Sequence, residues 1–63
     1  MPIRKYREMA GLTQTEAAKR LYISIDSVRR YESGIREPRS SDLKRMAELY
    51  GCTMEELLKA EEK

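Results

Sequence analysis

Between Thr13 and Gly34 the chain reads T-Q-T-E-A-A-K-R-L-Y-I-S-I-D-S-V-R-R-Y-E-S-G, which leaves room for little except two short helices meeting at a tight turn. Thr13 followed three positions later by Glu16 is a capping box. The threonine hydroxyl accepts from the amide three residues ahead, and the glutamate reaches back to the threonine amide. Ser24 supplies a second helix start, because its side-chain oxygen can accept from a free first-turn amide. Gly34 supplies the stop. The predicted helices run near Gln14 to Leu21 and from Ser24 to about Ser33, with Tyr22 and Ile23 in the turn. Ala17, Ala18 and Leu21 face inward on the first helix, Val28 and Tyr31 on the second. The paired alanines let another helix approach closely, and Arg29 and Arg30 stand near the exposed side of the second helix.

The flanks extend the helical pattern. Ile3, Tyr6, Arg7 and Ala10 form one stripe of a helix near Pro2 to Ala10, which Gly11 ends, so Arg7 is predicted to point inward. Ile35 to Arg39 reads as a loop, because the residue before Pro38 is steered away from helical backbone. Ser40 or Ser41 begins a fourth helix with Leu43, Met46, Ala47 and Tyr50 at i, i+3, i+4 and i+7, and Gly51 ends it. Thr53 and Glu56 make another capping box for a fifth helix that is predicted to bury Met54, Leu57 and Leu58. No strand pattern, repeat or linker is visible. The expected architecture is all-α, five short helices in a single domain over residues 1–63.

A 63-residue domain buries only roughly 60% of the surface its unfolded chain exposes. Its stability is marginal, and a partner subunit would add to it. Hydrophobic residues at 40% and charged residues at 38% suit a compact, soluble helical chain rather than a disordered one. Histidine is absent, which removes the usual zinc ligand and the usual acid–base group. Neither a glycine-rich phosphate loop nor a pocketed carboxylate cluster is evident. The expectation is therefore a protein that is not an enzyme, with no metal, no cofactor and no small-molecule ligand. Cys52 is the single cysteine and is expected to be a buried, inert thiol. No signal peptide and no run of about 18 apolar residues is visible, so a cytoplasmic protein without membrane contact is expected.

The net charge of +2 hides an asymmetry. Residues 1–45 hold eleven Lys or Arg against six Asp or Glu, whereas residues 46–63 hold two against five. A polyanion would meet the first part, with the acidic end turned away from it. Two capped helices at a tight turn, the second bearing cations, are the layout that lays one helix in the major groove of DNA.

The run G-L-T-Q of Gly11 to Gln14, Ala18, Leu21, Ser24, Val28, the Y-E-S-G of Tyr31 to Gly34, Pro38, and the L-K-R-M-A-E-L-Y-G of Leu43 to Gly51 together resemble the lambda-repressor-like, Cro/XRE-type helix-turn-helix regulators of prokaryotes. The resemblance covers nearly the whole chain and implies five helices with the third reading DNA. It places base contacts on Ile25, Asp26 and Arg30, with Arg29 beside them, and phosphate contacts on Gln14, Ser24, Ser27, Arg36, Arg39 and Lys44. Arg30 suits guanine, whose O6 and N7 accept two hydrogen bonds from one guanidinium, while Ile25 suits a thymine methyl. Arg29 also suits a phosphate, and Gln14 is expected to brace the third helix as well. Asp26 departs from the pattern of relatives. It accepts from a cytosine amino group or, the preferred expectation, orients Arg30. Tyr22 departs too, standing where relatives commonly carry glycine. It is either mildly strained or covers the edge of the core. The resemblance further implies a buried ion pair between Arg7 and Glu32.

The leading expectation is a small prokaryotic or phage transcriptional regulator, a repressor in the simplest form, that binds double-stranded DNA sequence-specifically without catalysis. It would act as a homodimer on an inverted-repeat operator with half-sites about 34–36 Å apart. Met54, Leu57 and Leu58 form either the dimer interface or the closure of the monomer core. The alternative is an antitoxin or another protein-interaction module on the same fold, with Glu55, Glu56, Glu61 and Glu62 as its acidic surface.

Overall fold

Helix boundaries follow the caps. The computed structural model describes residues 1–59 and contains α1 (Ile3–Met9), α2 (Gln14–Leu21), α3 (Ile25–Ser33), α4 (Ser40–Tyr50) and α5 (Met54–Leu58), with no strand among those residues. Both capping boxes close. The Glu16 amide donates to Thr13 Oγ1 and the Thr13 amide to Glu16 Oε1, each at 3.1 Å. Thr53 and Glu56 repeat the exchange at 3.0 and 3.1 Å. The Ser27 amide donates to Ser24 Oγ at 3.1 Å and fixes the start of α3. At α4 the residue before the helix is Arg39, whose side chain makes no capping bond, and Ser40 is already helical. Asp42 in the first turn of α4 places negative charge near the free amides there.

Every helix contributes to the core, α4 most of all with Leu43, Met46, Ala47 and Tyr50. Ile3, Leu21, Met46 and Leu57 are 1% exposed or less, and Tyr31, Leu43 and Tyr50 complete the cluster around them. Ala17 and Ala18 are both buried where α2 meets α3 and α4, so small side chains stand at the closest helix approach. Two inward predictions do not hold. Ala10 is exposed because α1 ends at Met9 and the chain is already turning. Leu58 is 54% exposed because the five-residue α5 directs Leu57 into the core and the next residue lies about 100° round the helix. Cys52 is half-buried rather than fully buried, and desolvation raises its thiol pKa, which favours the protonated, less nucleophilic form.

Tyr22 ends α2 in the left-handed region, at φ 58° and ψ 39°. Among the described residues the other positive-φ positions are Gly11, Gly34 and Gly51, which leaves Tyr22 as the single non-glycine residue in that region. Its conformation lets the Ile23 amide donate back to the Ala18 carbonyl at 3.1 Å while the Ile23 side chain packs on the core. The backbone strain is therefore held in place by Ile23. The Tyr22 ring does not cover the core, since the residue is 87% exposed.

Candidate nucleic-acid interface

A buried polar network fixes how α3 sits. Arg7 of α1 donates to Glu32 of α3 from Nε to Oε2 at 2.6 Å and from Nη2 to Oε1 at 3.2 Å. Its third donor, Nη1, reaches the Leu12 carbonyl at 2.7 Å. Gln14, the first residue of α2, donates from Nε2 to Glu32 Oε1 at 3.1 Å. The Arg7 and Glu32 side chains are only 8% and 5% exposed. The bond to Glu32 is the main cause raising the Arg7 pKa, so the guanidinium stays protonated. One glutamate thus ties α3 to two other helices with planar, directional bonds.

With Val28 and Tyr31 buried, helical periodicity turns Asp26, Arg30 and Ser33 to the opposite side of α3, with Arg29 at their flank. All four are exposed. Arg29 and the half-buried Ile25 join Arg4, Gln14 and Thr15 around an open groove between α1, the start of α2 and the start of α3. Past Gly34 the chain stays close to α3, because the Arg36 amide donates to the Arg30 carbonyl at 3.3 Å. Arg36, Arg39 and Lys44 are exposed along the loop and the first part of α4. Tyr31 Oη donates to Asp42 Oδ2 at 2.8 Å and holds the start of α4 against the end of α3.

The helix-turn-helix family profile matches residues 3–57, the span that contains all five helices except the last residue of α5. The chain belongs to the Cro/XRE-type helix-turn-helix family. Over 60 residues, 95% of the chain, it is 33% identical to the HTH-type transcriptional activator BcrR of Enterococcus faecalis, of which the match covers 29%. It is likewise 33% identical over 60 residues to the HTH-type transcriptional regulator ImmR of Bacillus subtilis (strain 168), covering 47% of that protein. The chain therefore spans less than half the length of either relative. No solved structure matches it significantly.

Within this helix-turn-helix domain Ile25, Asp26, Arg29 and Arg30 lie on the first two turns of α3. Asp26 does not orient Arg30. Its Oδ1 lies 3.8 Å from Arg29 Nη1, an i,i+3 contact between exposed groups that contributes little energy but biases the rotamer of Arg29. Ser24 and Ser27 share a hydroxyl contact at 2.9 Å, so both hydroxyls already serve the cap of α3. Met54 is half-buried, and Leu57 is fully enclosed in the monomer core, which removes Leu57 as an exposed dimer contact. Glu61 and Glu62 of the expected acidic surface lie outside the described residues. Arg4 and Thr15 are absent from the sequence-based set. The signal for Arg4 was its place one turn before the inward Arg7, at the rim of the same face. No helix among the described residues is long and apolar enough to cross a membrane.

Proposed function

We propose that the chain is the DNA-binding domain of a transcriptional regulator and lays α3 in the major groove of double-stranded DNA. The observation that supports this most is the exposed Asp26–Arg29–Arg30 face on a helix locked in orientation by the Arg7–Glu32–Gln14 network. A helix with side chains is about 10–12 Å across, and the major groove is about 12 Å wide. Arg30, with no ion-pair partner among the described residues, is free to donate to guanine O6 and N7. Ile25 meets a thymine methyl, and Arg29, steered by Asp26, reaches a base or the adjacent phosphate. Gln14, Ser24, Ser27, Arg36, Arg39 and Lys44 follow the phosphates, and Arg4 joins them at the rim of the groove beside Gln14.

The relatives bear the names of an activator and a regulator, so the reading is regulation of transcription without a fixed sign. The protein acts in the cytoplasm, without catalysis. Its longest dimension is 28 Å, whereas successive half-sites on one face of the duplex lie about 34–36 Å apart. One copy therefore covers one half-site, and a homodimer on an inverted repeat reads a full operator.

Two substitutions test the assignment against sequences selected from a random DNA pool. Arg30→Ala is expected to relax discrimination at one base pair per half-site by about 1–3 kcal/mol. Arg36→Ala is expected to weaken all sequences alike and to flatten the salt dependence by about one unit of slope. A pool that yields no enriched sequence, with no salt-dependent binding, would overturn the proposal and favour a protein-interaction module.

A further inference from the structure

The homodimer of the preceding reading needs an interface, and α5 alone does not provide one, because Leu57 is enclosed in its own core and leaves Leu58 exposed. A second unpartnered surface lies between the end of α2 and α4, where Arg20, Tyr22, Arg45, Glu48 and Leu49 line an open groove whose two guanidiniums outnumber its one carboxylate. Tyr22 is the non-glycine residue held at positive φ, and it is 87% exposed. Persistent strain of this kind clusters where a surface has work to do. Arg20 and Arg45 are exposed and enter none of the three ion pairs among the described residues, which are Arg4–Glu8, Arg7–Glu32 and Asp26–Arg29.

The complement to this groove is on the same chain. Glu55 and Leu58 are both exposed on α5, the first a carboxylate with no ion-pair partner among the described residues and the second apolar. α5 packs against α4 and is tied to α1 by the Tyr6 Oη bond to Glu56 at 3.1 Å, whereas the groove opens on the α2 side of α4. We infer that two copies exchange these surfaces: Glu55 and Leu58 of each seat in the Arg20–Tyr22–Arg45–Leu49 groove of the other. A two-fold axis beside α4 brings both contacts about at once, as a closed, isologous pair requires. The carboxylate then lies between two guanidiniums, and Leu58 packs between the Tyr22 ring and Leu49. The groove shares no residue with the Gln14, Ile25, Arg29 face, so the interface leaves the DNA-facing side uncovered.

Sedimentation equilibrium on this chain over micromolar to millimolar concentrations tests the exchange. The parent is expected to dimerise, less so at high salt. Arg45→Glu and Glu55→Arg are each expected to raise the dimer dissociation constant by about tenfold or more, since each sets like charges face to face. The double variant Arg45→Glu/Glu55→Arg restores opposite charges and is expected to return towards the parent. Unchanged melting at low concentration shows that each variant folds. The inference is overturned if Arg45→Glu dimerises as the parent does, if the double variant shows no recovery, or if the parent stays monomeric throughout. A gel shift on duplex carrying a single half-site separates the two readings. A monomeric parent that still binds that duplex sinks the interface and leaves the DNA assignment standing, whereas a dimer that binds no DNA does the reverse.

Discussion

Glu32 accepts from Arg7 twice and from Gln14 once, with its side chain 5% exposed. Removing it leaves the Arg7 guanidinium buried with the Leu12 carbonyl as its remaining partner. Breaking a buried pair from one side costs about 3–5 kcal/mol, and in a domain this small each 1 kcal/mol moves the melting temperature by about 4–8 °C. Glu32→Ala is therefore expected to melt at least about 12 °C lower, or to be unfolded at room temperature. A calorimetric scan checks this, and an unchanged melting temperature would contradict it. Tyr50 is the opposite case, since its hydroxyl is buried without a hydrogen-bond partner among the described residues. Burial, with the Glu32 charge adding to it, pushes its pKa from 10.0 up to about 12. A raised value means that the folded state favours the neutral phenol. That contribution is complete below pH 10 and is lost as pH rises towards 12. Tyr50→Phe is expected to gain about 1 kcal/mol near neutrality by removing the unpartnered hydroxyl. It should also unfold less readily in alkali, and chemical denaturation at neutral and at alkaline pH reads both effects.

At the scale of elements, two capping boxes define where α2 and α5 begin, and both depend on ionised glutamates. The bond from the Thr13 amide holds the Glu16 carboxyl below its usual 4.5, and the bond from the Thr53 amide does the same for Glu56, with Tyr6 adding to it. For a lowered carboxyl the contribution is full above pH 4.5 and is lost as pH falls through the depressed values. Glu16→Gln keeps a hydrogen-bonding box without the titration. Its stability is expected to fall less than the parent's below pH 4.5, and superimposable acid-unfolding curves would contradict the role of Glu16. Caps of this kind were legible in the sequence because they are local: Thr13, Ser24, Gly34, Thr53 and the glutamates state the helix ends within a few residues. The inward arginine was legible from the Ile3–Tyr6–Arg7 spacing, and its partner Glu32 from the family pattern. Less local features were not. The expected pairing of Asp26 with Arg30 at i+4 gives way to Arg29 at i+3, because both positions are neighbours on a helix and the spacing alone does not separate them. The exposure of Leu58 and of Tyr22 depends on how α5 and Ile23 dock, which no local spacing encodes.

At the scale of the whole molecule, five helices within 28 × 23 × 20 Å hold α3 by its buried side and leave its charged side outward. Arg4 of α1 and Arg29 of α3 line one groove, Arg30, Arg36 and Arg39 are exposed on α3 and the loop that follows it, and α5 bears Glu55 and Glu56. On the proposed reading such a body would neutralise several phosphates, and its affinity for DNA is expected to fall steeply with salt. The most direct test of the central claim is a nuclear magnetic resonance titration of the isotope-labelled protein with its selected duplex. The account predicts the largest shifts at Gln14, from Ser24 through Arg30, and at Arg36. Resonances there that stay in place while those of Tyr22, Arg45 and Leu49 move on addition of DNA would contradict it.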